Sequence, residues 1–269
     1  MQTVTVGLSP CPNDTFIFHA LFSGIAAVEG VRFEPVFEDV ERLNQMARDA
    51  QLDVTKISFH AYGHLRENYR LLNSGAALGR GCGPLIVCRR ESADLDLRNS
   101  RVAIPGLWTS ATLLLRLYEV GLSDEQLVEL RFDRILGAVA SGEVDAGLII
   151  HESRFTFADC GLIEREDLGR WWEETHGHPI PLGGIIAHHR LGNETIARID
   201  AGLQASVMHA RSHPEDSRDF VRSHAQELSD EVTRAHIDLY VNDFTVDLGD
   251  EGRRAVDHLV RCAVEKGVF

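Results

Sequence analysis

Residues able to do chemistry gather in a few short stretches of the chain. The run Ile149-Ile150-His151-Glu152 puts an imidazole directly behind the apolar stretch 146–150. A histidine at the C-terminal end of a buried strand stands where α/β folds bind ligands. Neutral near pH 7, it can take a proton from a substrate. A structural histidine hydrogen-bonded at a strand end has the same signature, so both readings stay open. Glu152 comes next, but on an extended chain its side chain points to the opposite face, which makes it no obvious orienting partner.

Two helix starts form a second group. Lys56-Ile57-Ser58 leaves a strand and enters a helix, and Gly106-Leu107-Trp108-Thr109-Ser110-Ala111 does the same further on. Free N–H groups at a helix start, with a hydroxyl beside them, make an anion site. Two such starts facing each other across a cleft would grip a carboxylate or a polyol, whereas either one alone reads as plain capping. The loop Ser9-Pro10-Cys11-Pro12-Asn13-Asp14 brackets a cysteine with two prolines, which fixes the backbone there. It either lines a cleft or simply enters a helix with Asn13 or Asp14 as the cap. Cys11 has no partner base in view and reads as a bystander. Gly75, Gly79, Gly81 and Gly83 match neither a dinucleotide fingerprint nor a P-loop and mark a bend or close packing. His176, His178, His188 and His189 accompany no HExxH or CxxC and read as a surface loop, with no metal expected.

The elements that must position these groups alternate. β-like runs fall at 3–8, 32–37, 53–57, 84–88, 101–104, 129–132, 146–150 and 183–188. Helical spacing fills 13–23, 40–50, 59–67, 111–120, 134–141 and 168–175, and the chain reads as helical after Asn193. Such alternation gives an α/β fold with mostly parallel sheets. Crossings near 88–101 and 185–192 divide it into a larger lobe, residues 1–98 and 190–269, and a smaller lobe, residues 99–189. A ligand cleft with a hinge is expected between them.

Composition narrows the partners. Lys and Arg number 27 against 41 Asp and Glu, a formal net charge of −14, in a chain that is 44% hydrophobic. That apolar share excludes disorder, and the acidic balance argues against nucleic acid, whose phosphates would be repelled. No apolar stretch approaches the ~20 residues of a membrane-spanning helix. Residues 1–6 show no signal-peptide pattern, and the five scattered cysteines form no CxxC pair. Reduced thiols and a cytoplasmic location are therefore expected. A small molecule is the expected partner, and the oligomeric state is left open.

Several longer motifs carry a resemblance. They are Ser9-Pro10-Cys11-Pro12-Asn13-Asp14-Thr15-Phe16, Glu38-Asp39-Val40-Glu41, Thr55-Lys56, Ala77-Leu78-Gly79-Arg80-Gly81, Ala146-Gly147-Leu148-Ile149-Ile150-His151-Glu152-Ser153-Arg154-Phe155-Thr156 and His224-Ala225-Gln226-Glu227-Leu228-Ser229-Asp230-Glu231-Val232. Over nearly its whole length the chain resembles the 1,4-dihydroxy-6-naphthoate synthases of the futalosine route to menaquinone. The resemblance implies a two-lobed type-II periplasmic-binding-protein-like fold, α/β with mixed sheets flanked by helices and a ligand cleft between the lobes. It implies a cytoplasmic carbon–carbon lyase that acts on cyclic dehypoxanthine futalosine, a substrate with an aromatic carboxylate, and needs no metal or organic cofactor. His151 would be the proton acceptor. Lys56, Ile57 and Ser58 would line the pocket from one lobe, and Thr109, Ser110 and Ala111 from the other. Trp108 departs from the family pattern and is expected to alter the pocket's shape. Two alternatives share the fold: a non-catalytic solute-binding protein, and the chorismate dehydratase of the same route.

Overall fold

The computed structural model describes residues 1–225 and 229–269. Gln226, Glu227 and Leu228, part of the last motif above, lie outside the described residues. The strands are β1 (Gln2–Leu8), β2 (Val31–Phe37), β3 (Val54–Ser58), β4 (Tyr69–Leu71), β5 (Ala77–Gly79), β6 (Leu85–Arg89), β7 (Val102–Ile104), β8 (Leu127–Glu129), β9 (Ala146–Ile149), β10 (Leu162–Asp167) and β11 (Ile180–His188). The helices are α1 (Pro12–Phe22), α2 (Val40–Arg48), α3 (Phe59–Leu65), α4 (Ser110–Tyr118), α5 (Phe132–Ser141), α6 (Ser153–Thr156), α7 (Leu168–His176), α8 (Asn193–Ser212), α9 (Arg218–His224), α10 (Asp230–Tyr240), α11 (Asp243–Val246) and α12 (Gly249–Glu265).

The strands form two sheets, one per lobe. The first has the order β2-β1-β3-β11-β4, with β5 also paired to β11, and the second has the order β10-β6-β9-β7-β8. In the first, β1 is parallel to β2 and β3, while β11 runs antiparallel to β3, β4 and β5. In the second, β7 is parallel to β8 and β9, while β6 runs antiparallel to β9 and β10. The sheets are thus mixed, as the resemblance implies, and not mostly parallel as the alternation implies. In each sheet the strand that follows a crossing, β6 or β11, enters in the reversed direction.

The same pairings move the crossings. The apolar run at 84–88 becomes β6, which is a strand of the second sheet, and β11 is wholly a strand of the first. The chain therefore crosses between Gly79 and Leu85 and returns between His176 and Ile180, earlier than the boundaries at 98/99 and 189/190. Hydrophobicity alone says that a strand is buried, not which sheet buries it. The expected β-run 129–132 also shifts. Its strand is Leu127–Glu129, and Phe132 instead opens α5 with its side chain buried. The pattern gave no sign of β10, because Leu162-Ile163-Glu164-Arg165-Glu166-Asp167 carries four charged residues. It is an edge strand that keeps its two ends, Leu162 and Asp167, buried.

Packing explains where the site forms. Every residue of β3 is buried, because β1 and β11 flank it and α2 and α3 pack on it. One core joins β1, α1 and α8, and another joins β9 and α5 of the second lobe. The glycine stretch does mark a close approach at Gly83. A methyl group there would lie 2.3 Å from the backbone of Gly169, at the start of α7. Backbone cannot yield as a flexible side chain can. Gly83→Ala is expected to cost about 1–3 kcal/mol, read from the chemical denaturation midpoint at unchanged m-value.

Candidate active site

The parallel strands end at one cavity. β1 runs into Ser9 and α1, β3 ends at Ser58, β7 leads to Gly106 and α4, and β9 delivers His151. All seven expected site residues line this cavity: Lys56, Ile57, Ser58, Thr109, Ser110, Ala111 and His151. Ser9, Asn13, Asp14, Cys82 and Tyr240 line it too. Its walls are largely apolar with a few convergent polar groups, the usual make-up of a small-molecule site.

His151 is presented by a turn. Its φ is +57°, a left-handed conformation uncommon for a residue with a side chain, and such local strain clusters at functional sites. Nδ1 lies 3.6 Å from the Cys11 sulfur, and the ring meets Phe132 edge-on at 5.0 Å. Burial pushes the imidazole pKa down, while the charges of Glu152 and Asp14 oppose that shift and Lys56 adds to it. The ring is therefore neutral at pH 7. Burial likewise pushes the Cys11 thiol well up, so the sulfur keeps its proton. One expectation changes: Cys11 is the neighbour of the imidazole rather than a bystander. Glu152 acts on His151 through its charge.

Lys56 lies in the middle of a fully buried strand and needs a counterion. Asp14 supplies it, with Nζ 2.9 Å from Oδ1 and side chains 7% and 2% exposed. Asp14 also accepts from the Ser9 hydroxyl at 2.8 Å and from the Asn13 amide at 2.9 Å. The loop that opens α1 is thus a cavity wall and not only a helix entry. No side-chain cap bond comes from Ser58. Its N–H donates to Asn44, whose amide donates back to Ser58 Oγ. Thr109 does cap α4, accepting from the Thr112 N–H while its hydroxyl donates to Gly106. Ser110 ties the lobes together, donating to the Leu182 carbonyl and accepting from the His60 N–H. The first backbone bond across a full turn of α4 runs from Leu113 N–H to Thr109. The N–H groups of Ser110 and Ala111 precede it, so the positive end of α4 adjoins the cavity.

Residues 4–265 match the protein family described as menaquinone biosynthesis. The chain belongs to this family. It is 51% identical over 269 residues to a 1,4-dihydroxy-6-naphtoate synthase of Thermus thermophilus, covering all of this chain and 96% of that one. It is 43% identical to the synthase of Streptomyces coelicolor, covering 99% of this chain and 95% of that one. A crystal structure of an Archaeoglobus fulgidus protein superposes with a TM-score of 0.92 at 35% identity, over 99% of this chain and 98% of that one. The periplasmic aliphatic sulphonate binding protein of Escherichia coli matches with a TM-score of 0.66 at 14% identity, over 100% of this chain and 89% of that one. That last likeness concerns the fold, which is the two-lobed periplasmic-binding-protein one.

Several features of this member of the menaquinone-biosynthesis family were not foreseen. Trp108 is not in the cavity wall, so it does not shape the pocket as expected. Its ring packs 4.8 Å from His64 and beneath Arg48 at 5.8 Å, on the first lobe. Its backbone N–H donates to the Glu41 carboxylate at 3.2 Å, which makes Glu41 a contact between the lobes. Burial raises the Glu41 pKa to about 7, with Asn44 opposing and Glu129 adding to the shift. Below pH 4.5 that proton is bound in both folded and unfolded chains. As pH rises towards 7, the unfolded chain loses it first, so this contribution to stability falls by at most about 1.4 kcal/mol per pH unit. Burial lowers the pKa of His60 and His236, and these slope the other way. The Glu41 share is therefore the difference between wild type and Glu41→Gln, whose stability should lack the decline between pH 4.5 and 7. Identical slopes in urea titrations across that window would remove this role.

Proposed function

We propose that the chain converts cyclic dehypoxanthine futalosine to 1,4-dihydroxy-6-naphthoate, with His151 as the proton acceptor. The observation that carries this reading is the neutral imidazole on a cavity built by both lobes, opposite the start of α4. In the tautomer with the ring hydrogen on Nδ1, towards Cys11, the Nε2 lone pair faces the substrate. The α4 N–H groups and the Ser58 hydroxyl hold the aromatic carboxylate. Closure of the lobes excludes water. His151 removes a proton, carbon–carbon cleavage follows, and formation of the second aromatic ring drives it. The imidazolium that results sits among the charges of Glu152 and Asp14, which favour it. The proposed compartment is the cytoplasm, where five free thiols stay reduced.

The test is incubation of the purified protein with cyclic dehypoxanthine futalosine and, separately, with chorismate. Naphthoate absorbance should grow in the first and not in the second. Turnover of chorismate alone would assign the chain to the dehydratase reaction, and tight binding of either compound without turnover would make it a solute-binding protein.

A further inference from the structure

The histidine-rich stretch of the sequence splits in the fold. His188 turns towards Tyr69 and accepts from the Arg190 N–H. His176 and His178 instead meet the C-terminal helix. On α12, His258 and Cys262 are four residues apart and so share a face. His258 Nε2 lies 3.0 Å from His176 Nδ1 and 3.6 Å from the Cys262 sulfur. The three donor atoms lie within 4.8 Å of one another.

Two of those separations are close to the edges of a tetrahedron, and the third, from His176 to Cys262, lies within 4.8 Å and closes on binding. With zinc bonds of about 2.05 Å to nitrogen and about 2.3 Å to sulfur, tetrahedral angles give roughly 3.35 Å between nitrogens and roughly 3.6 Å from nitrogen to sulfur. The His258–Cys262 edge already has that length, and the His176–His258 edge needs to open by a few tenths of an ångström. The donors also stand on rigid supports. The His176 ring lies against the fully buried Trp172, with centroids 4.1 Å apart. The Trp172 indole donates to the Pro179 carbonyl, which fixes the turn bearing His178, and the His178 ring is 4.8 Å from that of His258. All three donor residues keep some exposed surface.

We propose that His176, His258 and Cys262 form a binding site for one divalent cation of the zinc class, with water or His178 as the fourth ligand. α7 packs on β6 and β10 of the second lobe and on β11 of the first, and α12 packs on β11 and α3 of the first and on α4 of the second. The ion therefore sits where the two lobes already meet, beside the return crossing. Without an ion, the His258 ring makes an alternative bond. Arg261 donates to His258 Nδ1 at 2.8 Å, which puts the ring hydrogen on Nε2, facing His176. Binding moves that hydrogen to Nδ1, sends the exposed Arg261 side chain into solvent and releases the Cys262 thiol proton to water.

The probe is Co²⁺ alone, titrated into the purified full chain. One equivalent should raise a thiolate-to-cobalt charge-transfer band, and one equivalent of Zn²⁺ should abolish it and raise the melting temperature. His258→Ala and Cys262→Ser should each lose the band and weaken binding by at least about 10–100-fold, the range known even for outer-shell partners. Cys160→Ser should keep the band, and Arg261→Ala should bind at least as tightly as wild type. Should His258→Ala fail to fold, His176→Gln reads the same loss. A band that survives in Cys262→Ser, or Co²⁺ affinity unchanged in His258→Ala, overturns the proposal, as does the absence of any band at one equivalent.

Discussion

Replacing His151 with alanine or asparagine should lower kcat by about 10²–10⁴-fold, the usual worth of general-base help, while product still binds within a few fold. Alanine removes the ring. Asparagine keeps a polar group beside Cys11 but offers no basic nitrogen, so the two variants should fail alike if the lone pair is what matters. Because burial holds the imidazole below its ordinary value, the acid limb of the wild-type profile should fall below pH 6.5. Activity should be lost as pH drops through that limb and His151 becomes charged. Near-wild-type turnover in a folded variant would remove His151 from the mechanism. An acid limb above pH 6.5 would instead contradict the electrostatic picture of the site.

Lys56→Met should be the most damaging of the stability changes. It leaves the Asp14 carboxylate, 2% exposed, without its cation, and breaking one side of a buried pair costs about 3–5 kcal/mol. That is a large part of the 5–15 kcal/mol typical of a whole domain. The double variant Lys56→Met with Asp14→Leu should recover much of the loss, because apolar residues of similar size often replace a buried pair at little cost. Activity should not return with it, since both side chains line the cavity. Chemical denaturation of the two single variants and the double variant reads this directly. A Lys56→Met protein as stable as wild type would mean that Asp14 finds another partner or binds a proton.

The site was legible in the sequence wherever chemistry coincides with the end of a strand. His151 follows β9, Ser58 closes β3, and Thr109 to Ala111 open the helix after β7, each marked by an apolar run and then a polar residue. Contacts between distant segments left no such mark. Cys11 and His151 are 140 positions apart, and the pairing of Lys56 with Asp14 is a property of the first sheet, not of any motif. The crossings were misplaced for the same reason, since the apolar run before Arg89 fits either sheet equally well. Trp108 looked like a pocket residue because it precedes Thr109. The tight turn at Gly106, where a methyl group would lie 2.4 Å from Glu41, instead brings it against the neighbouring lobe.

That turn has a consequence for the end of the catalytic cycle. The bonds from Trp108 to Glu41 and from Ser110 to Leu182 join the two lobes, and departure of a flat bicyclic acid is expected to require that they part. Burial pushes the Glu41 pKa up to about 7, and its carboxyl does not line the cavity. The residence time of the newly made aromatic acid should then respond to the protonation of a side chain it never meets, so departure of the product and the bond-breaking step can answer to acidity independently.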